Sequence, residues 1–190
     1  MSSPFDQSTY QVRFEWGADG LARLAPADVV VLVDVLEAST NVIEALDRDA
    51  STGVAPFGEL AGGSALTLVG ALTNASAVAG AVLAEQKRRS ARTSVAVIAG
   101  GDGPRFAVED LLGAGAIIAA LADRGIDHSS PEAAVACEAF RALRGATRHL
   151  LTASGSGRAL AERADGVRAA AALDASSAVP VLRDGAFVAL

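Results

Sequence analysis

The sequence has little cysteine and no long apolar run, and each shortage excludes a class of protein. Its single cysteine, Cys137, cannot form a disulfide within the chain, and no second thiol is present to build a thiolate zinc site. No stretch of about 18 uninterrupted apolar residues occurs, and residues 1–11 lack a basic segment followed by an apolar one. We therefore expect a cytoplasmic protein without an export signal or a membrane span.

Aromatic residues make up only 4% of the chain, and basic residues are also scarce. The 16 lysines and arginines are outnumbered by 22 aspartates and glutamates, which gives a formal net charge of −6. Because a surface of this sign repels nucleic acid phosphates, we expect neither nucleic acid nor a membrane as a partner. A small anionic substrate would need a local positive site or a metal ion. At 190 residues and 51% apolar composition, one domain is expected.

Runs of branched apolar residues separate alanine-rich stretches, a pattern typical of an α/β domain whose strands are buried on both faces. The strongest run, 28–34, predicts a central strand. Residues 12–16 alternate in polarity and predict a half-exposed edge strand that ends in a turn at 17–20. Further strands are predicted at 66–72, 94–99 and 149–153, and a terminal hairpin at 179–182 and 186–188 around Asp184-Gly185.

Capping residues place helices between these strands. The glycine-rich segment 49–64 has little periodicity and predicts a surface loop. Together the elements predict a three-layer α/β/α sandwich with a mostly parallel or mixed sheet, spanning 1–190. Helices are predicted at 41–47 (capped by Ser39 or Thr40), 75–88 (capped by Asn74), 109–122, 133–143 (opened by Ser130-Pro131), 158–163 and 167–173.

The first candidate site lies at the end of the predicted central strand, because ligands of α/β sheets bind beyond the carboxyl ends of the strands. That strand ends at Asp34, and Glu37, Ser39 and Thr40 lead into a helix. A carboxylate at this point can bind a hard cation such as Mg²⁺ or act as a base. The structural alternative is an acid that complements the helix dipole.

The second candidate site follows the strand predicted at 94–99. Gly100 and Gly101 would let backbone amides approach a ligand closely, and Glu109 and Asp110 lie in the first turn of the next helix. Adjacent carboxylates repel each other unless they are neutralised, which favours a divalent ion or a bound cationic group. The alternative is a solvated helix start.

The third candidate site is the segment 153–158, predicted as a strand end, a glycine-rich turn and a helix that carries Arg158. Free N–H groups and a guanidinium favour a phosphate or sulfonate. The signatures of dinucleotide folds, P-loops and Asp-x-Asp phosphatases are absent. Cys137, His128 and His149 are expected to be structural.

Five motifs follow one another along the chain: Val29-Val-Val-Leu-Val-Asp34-Val-Leu, Gly70-Ala-Leu-Thr-Asn74, Phe106-Ala-Val-Glu109-Asp110, Ser154-x-x-Gly157-Arg158 and Asp174-x-Ser-x-x-Val-Pro180. In this order they resemble the motifs of the 2-phosphosulfolactate phosphatases, and the chain is identified as a shortened, ComB-like member. The resemblance implies a three-layer α/β/α fold and Mg²⁺-dependent hydrolysis of 2-phospho-3-sulfolactate to 3-sulfolactate and phosphate, a step toward coenzyme M.

The resemblance also implies roles for individual residues. It makes Asp34, Glu109 and Asp110 the catalytic carboxylates, with Asp34 and Glu109 on the metal. Substrate contacts are implied or expected from the candidate sites at Ser39, Thr40, Asn74, Gly100, Gly101, Ser154, Gly157 and Arg158.

Two features depart from the family pattern. Glu37 adds a negative charge where an anion is expected, and segment 49–64 replaces a longer family segment. Both favour an alternative, a catalytically impaired member that acts as a small-anion binding or scaffold protein. A phosphatase for another acidic metabolite is a third hypothesis. The predicted edge strand around Phe14 and Trp16 is a candidate homodimer contact.

Overall fold

One mixed sheet of seven strands forms the centre of the protein in the computed structural model, which describes residues 3–55, 57–61, 65–101 and 105–190. The sheet order is β1-β5-β2-β4-β6-β7-β3, in which the first four strands are parallel and the last three pair antiparallel. The predicted mixed sheet is confirmed. The strands are β1 (Val12–Trp16), β2 (Val29–Val33), β3 (Thr52–Gly53), β4 (Leu66–Gly70), β5 (Val95–Ala99), β6 (Pro180–Arg183) and β7 (Ala186–Ala189).

Helices cover both faces of this sheet, which confirms the α/β fold. On α3 the buried residues Ala75, Val78, Ala79 and Val82 recur at helical spacing and form the stripe that packs on the sheet. The helices are α1 (Gly17–Arg23), α2 (Ala38–Asp47), α3 (Ala75–Arg89), α4 (Val108–Ala122), α5 (Pro131–Leu143), α6 (Thr147–Ala153), α7 (Gly155–Ala159) and α8 (Ala164–Ala170).

The β2 strand shows why the fold has three layers. All five of its residues are buried, and alternate side chains point to opposite faces. Val29, Val31 and Val33 belong to the larger core, which includes residues of α3, α4 and α5. Val30 and Leu32 belong to a smaller core with residues of α2. The apolar run is unbroken because the side chains on both faces of the strand are buried, as the sequence predicted.

The β1 strand lies at the sheet edge as predicted, but it is not half-exposed. Arg13 is buried and donates to the backbone carbonyls of a neighbouring loop, including that of Ala25 at 2.8 Å. The side-chain amide of Gln7 binds the N–H and the carbonyl of Phe14, and the Ser130 N–H donates to the Val12 carbonyl. Much of the outer backbone edge of β1 is thus already hydrogen-bonded within the chain. A homodimer contact through this strand stays a prediction, and it would have to be made by side chains rather than by backbone pairing.

Three local predictions are wrong. Residues 149–153 belong to helix α6 rather than to a strand, and residues 17–20 begin helix α1 rather than a turn. Segment 49–64 is only partly a surface loop, since it contains β3 and the buried side chain of Phe57. The ring centroid of Phe57 lies 5.5 Å from that of Phe187. Residues 56 and 62–64 lie outside the described part of the chain.

The hairpin and most helices are confirmed. Asp184 and Gly185 have positive φ angles of 49° and 79° and make the tight turn between β6 and β7. Ser130 caps α5 by accepting the Ala133 N–H at 3.2 Å, with Pro131 at the first helical position. The helices predicted at 158–163 and 167–173 are displaced toward the N-terminus, as α7 and α8. Among the described helices, none is long and apolar enough to cross a membrane.

Candidate active site

A cleft of about 290 Å³ lies where the carboxyl ends of β2 and β5 meet. Because these strands are parallel and adjacent, the loops that leave them reach the same edge of the sheet. The α7 segment contributes a further wall. The lining consists of Asp34, Leu36, Glu37, Gly101, Ala107, Glu109, Asp110, Ser156, Ala159 and Leu160. The first two candidate sites predicted from the sequence therefore contribute to one cleft.

Asp34 directly follows β2, and two hydroxyls hold its loop in place. Its N–H donates to Ser39 Oγ at 2.9 Å, and the Thr40 hydroxyl donates to the Val35 carbonyl at 2.8 Å. Ser39 and Thr40 are buried within α2, whose N-cap is Glu37, so the prediction that one of them caps this helix is wrong. The structure brings neither hydroxyl to the cleft as a substrate contact; both position the Asp34 loop.

Asp110 joins the two loops beneath the cleft. Its Oδ1 accepts the Val35 N–H at 2.7 Å, and its Oδ2 accepts the Gly101 N–H at 2.9 Å. Burial and, after it, the negative charge of Asp34 raise the pKa of this carboxyl to about 7, although the two N–H donors lower it. Asp110 therefore changes its protonation state near neutral pH.

Glu109 is a buried residue whose carboxylate accepts no hydrogen bond from the residues that the structure describes. The residue is only 2% exposed, yet it lines the cleft beside Asp110. Within the described part of the chain its side chain has no hydrogen-bond or ion-pair partner. Because its carboxylate faces the cleft while the rest of the residue is buried, Glu109 is suited to bind a ligand of positive charge.

Gly100 and Gly101 let the β5 loop approach Asp34 and Asp110. A Cβ on Gly100 would lie 3.2 Å from the Asp34 Cβ, and Gly101 has a φ angle of +69°, which favours glycine. The Gly100 N–H donates to the Val33 carbonyl at 2.6 Å, and the Gly101 N–H is bound by Asp110. Both amides are thus engaged within the protein, although Gly101 itself lines the cleft.

Two arginines that were not among the predicted site residues contact side chains that line the cleft. Arg105 Nη2 lies 3.3 Å from Ser156 Oγ, and the guanidinium lies so close to Gly155 that a Cβ there would be 2.6 Å from Nη1. Arg163 Nη2 pairs with Glu37 Oε1 at 2.6 Å. The sequence feature that could have pointed to Arg105 is its position in the β5–α4 loop, next to a predicted site. No feature of the sequence around Arg163 points to a role at the cleft.

The remaining predicted substrate contacts are not brought to the cleft. Asn74 is fully buried: its Oδ1 accepts the Ala71 N–H, and its Nδ2 donates to the Val69 and Ala178 carbonyls, so it does not cap α3 with its side chain.

The third candidate site has a structural explanation. Ser154 caps α7 by accepting the Gly157 N–H at 3.0 Å. Gly157 is a glycine because a Cβ would lie 1.9 Å from the Leu151 carbonyl oxygen. Arg158 is exposed and is not among the described residues that line the cleft. Because α6 replaces the predicted strand, this segment is a helix–helix corner, and only its Ser156 meets the cleft.

The donor set of the cleft fits a magnesium ion. Among the described residues, no three His, Cys, Asp or Glu side chains are grouped to hold a metal by themselves. Mg²⁺, however, is usually bound by one or two carboxylates, with water and substrate phosphate completing its coordination. Asp34 and Glu109 line the same cleft, and no described residue donates a hydrogen bond to the Glu109 carboxylate. These are the two side chains that would hold such an ion.

Comparison with known proteins identifies the family. The family model of the 2-phosphosulpholactate phosphatases matches residues 59–185, well over half of the chain. The matched range contains Glu109, Asp110 and the α7 segment, whereas Asp34 precedes it. No curated protein matches the chain. The protein belongs to the 2-phosphosulpholactate phosphatase family.

Proposed function

We propose that the protein is a Mg²⁺-dependent phosphatase that hydrolyses the phosphate monoester of a small acidic metabolite, of the 2-phosphosulfolactate type. The observation that carries this proposal is the buried carboxylate of Glu109, which lines the cleft without a hydrogen-bond partner in the described part of the chain. Family membership supports the reaction class. The volume of about 290 Å³ suits a small substrate.

The metal site would consist of Asp34 and Glu109, which approach the cleft from the β2 and α4 sides. When bound, Mg²⁺ would neutralise the charge of the phosphoryl oxygens, which is the main requirement of phosphoryl transfer. Without a cation, the carboxylates that line the cleft would repel the phosphate. A cation between the carboxylates and the phosphate would remove this repulsion.

Asp110 is suited to accept a proton from the attacking water. Its pKa of about 7 leaves part of the population ionised at neutral pH, so the carboxylate can take up a proton and release it again within each cycle. The N–H groups of Val35 and Gly101 fix its orientation. Arg105, at the rim beside Ser156, is placed to bind a phosphate or sulfonate oxygen.

The direct test is phosphate release by the purified full chain. The substrates would be 2-phosphosulfolactate and 2-phosphoglycolate, each assayed with Mg²⁺ and again with excess EDTA. We expect release with Mg²⁺ and loss of at least about 100-fold with EDTA. Unchanged activity in EDTA would contradict the proposed metal dependence. A failure to release phosphate from any small phosphate monoester would contradict the proposed phosphatase activity.

The second candidate is a catalytically impaired member of the family that acts as a small-anion binding or scaffold protein. The Glu37 carboxylate lines the cleft, and its negative charge would oppose the binding and turnover of an anionic substrate there, which favours loss of activity. Calorimetry distinguishes the two functions: an inactive chain that binds sulfolactate or inorganic phosphate without Mg²⁺ would favour the binding protein, whereas turnover would exclude it.

A further inference from the structure

Glu37, in the lining of the cleft, forms an ion pair that the proposed hydrolysis does not use. Glu37 Oε1 and Arg163 Nη2 are 2.6 Å apart, although the residues are 126 positions apart in the sequence. The pair joins the β2–α2 loop to the turn at Ala161–Arg163 that follows α7. It therefore connects the lining of the cleft to a segment outside that lining.

Part of this lining separates the cleft from a second cavity of about 180 Å³. Leu36, Glu37 and Leu160 line both spaces, and Arg163 lines the second one. The Arg163 side chain is 58% exposed and that of Glu37 is 34% exposed. An ion pair this accessible contributes little to stability, so a ligand can displace either partner.

A substrate with two anionic groups creates an electrostatic requirement at this part of the lining. The phosphate would be neutralised at Asp34 and Glu109, but a second carboxylate or sulfonate would still meet the negative charge of Glu37. Arg163 is the guanidinium already in contact with that carboxylate. A planar guanidinium binds carboxylates and sulfonates through paired N–H donors, so it can exchange one for the other.

We propose that Arg163 binds the second anionic group of the substrate and that Glu37 is the partner it exchanges for that group. The ion pair thereby sets how strongly the enzyme prefers a phosphate monoester with a second negative charge over a singly anionic one. The inference rests on the proposed phosphatase function and assigns to Arg163 the contact with the second oxyanion of the substrate.

The test compares two phosphate monoesters of similar size. 2-Phosphoglycolate carries a carboxylate as its second anionic group. 2-Hydroxyethyl phosphate has an uncharged hydroxymethyl group at the same position. The readout is the ratio of their kcat/KM values at saturating Mg²⁺. We expect Arg163→Gln to lower the ratio of the carboxylate ester to the hydroxyl ester by about tenfold, the effect of one charged hydrogen-bonding contact. Glu37→Gln should raise it by up to about fivefold, because Arg163 loses its competing partner.

The double variant and a control separate this role from a structural one. Glu37→Gln combined with Arg163→Gln should give the ratio of Arg163→Gln alone, because Glu37 acts through Arg163. Arg168→Gln, which removes an arginine paired with Asp165 on α8, should keep the wild-type ratio. If Glu37→Gln raises the ratio equally with and without Arg163, Glu37 repels the substrate directly and the proposal is overturned.

Failure of the inference is distinguishable from failure of the proposed function. If the wild type hydrolyses either ester and Arg163→Gln changes both kcat/KM values by the same factor, the phosphatase stands and the exchange does not. If the wild type hydrolyses neither ester and does not release phosphate from 2-phosphosulfolactate, both are overturned.

Discussion

The end of β4 and the neighbouring ends of β2 and β5 bury polar side chains in opposite ways. At the end of β4, Asn74 is neutral and all of its amide contacts are to backbone groups of the protein. At the ends of β2 and β5, the carboxyl side chain of Glu109 lines the cleft without a hydrogen-bond partner in the described part of the chain. A satisfied polar group stabilises the fold, whereas an unsatisfied charge is retained where a ligand needs it. The difference separates structural from functional polar residues.

The largest effect should come from neutralising Glu109. We expect Glu109→Gln to reduce the rate of phosphate release by about 1,000-fold or more, because one of two metal carboxylates is lost. Urea denaturation should show no loss of stability, because a buried charge is removed. Glu132→Gln is the matched control, since Glu132 is the second residue of α5 as Glu109 is of α4, but is exposed. A stable, fully active Glu109→Gln protein would contradict the comparison.

The second prediction concerns Asp110, the other buried carboxyl of the cleft, and the pH dependence of the unfolding free energy that it causes. Its pKa is raised from 3.8 to about 7, so folding favours its protonated form. The resulting stability is fully present below about pH 4 and is lost as pH rises through about 7, a change on the order of 4 kcal/mol. In EDTA, the unfolding free energy of the wild type should therefore fall across this range relative to that of Asp110→Asn.

The control for this measurement is Asp127→Asn, which changes an exposed carboxyl. Its pH profile should follow that of the wild type. Parallel profiles for the wild type and Asp110→Asn would show that Asp110 is ionised as easily in the folded as in the unfolded chain.

Removal of the Asn74 side chain should lower stability and leave activity nearly unchanged, the opposite of what we expect for Glu109→Gln. Asn74→Ala leaves the Ala71 N–H and the Val69 and Ala178 carbonyls without this partner, and we expect a loss of about 3 kcal/mol in unfolding free energy. The kcat of the folded fraction should change little. Asn41→Ala, at an exposed position, should change the stability by less than about 0.5 kcal/mol. If Asn74→Ala keeps its stability but loses activity, Asn74 is a substrate contact after all.

The smallest effect should come from Ser39, which supports the cleft without lining it. Ser39→Ala removes the acceptor of the Asp34 N–H, and we expect a loss of about 1 kcal/mol in stability. The activity should fall only a few-fold, because Asp34 keeps its place after β2. Ser177→Ala, an exposed change, serves as the control. A loss as large as that of Glu109→Gln would assign Ser39 a direct role.

The sequence predicted the sheet and the acidic side of the cleft because their signals are local. The unbroken branched run of β2 predicts a strand buried on both faces, and Asp34 follows it directly. Glu109 and Asp110 follow the glycines after β5. Since parallel neighbouring strands end at one edge, these positions lead to a shared site once the strands are identified.

The remaining features depend on contacts between distant parts of the chain. Asn74 is a structural residue because Ala178, 104 positions away, provides a carbonyl for it. The short apolar run 149–153 suits either a strand or a helix, and packing of Leu151 in the core accompanies the helix. Arg163 reaches the cleft through Glu37, 126 positions away. No local pattern contains these pairings.

Direct location of the metal is the most stringent test of the central claim that Asp34 and Glu109 form a cation site. Crystals of the full chain grown with Mn²⁺ in place of Mg²⁺ would show the ion by its anomalous scattering. We predict a single strong peak in the cleft, within about 2.5 Å of carboxylate oxygens of both residues. A peak elsewhere, or none in crystals of protein whose activity requires the metal, would contradict the account.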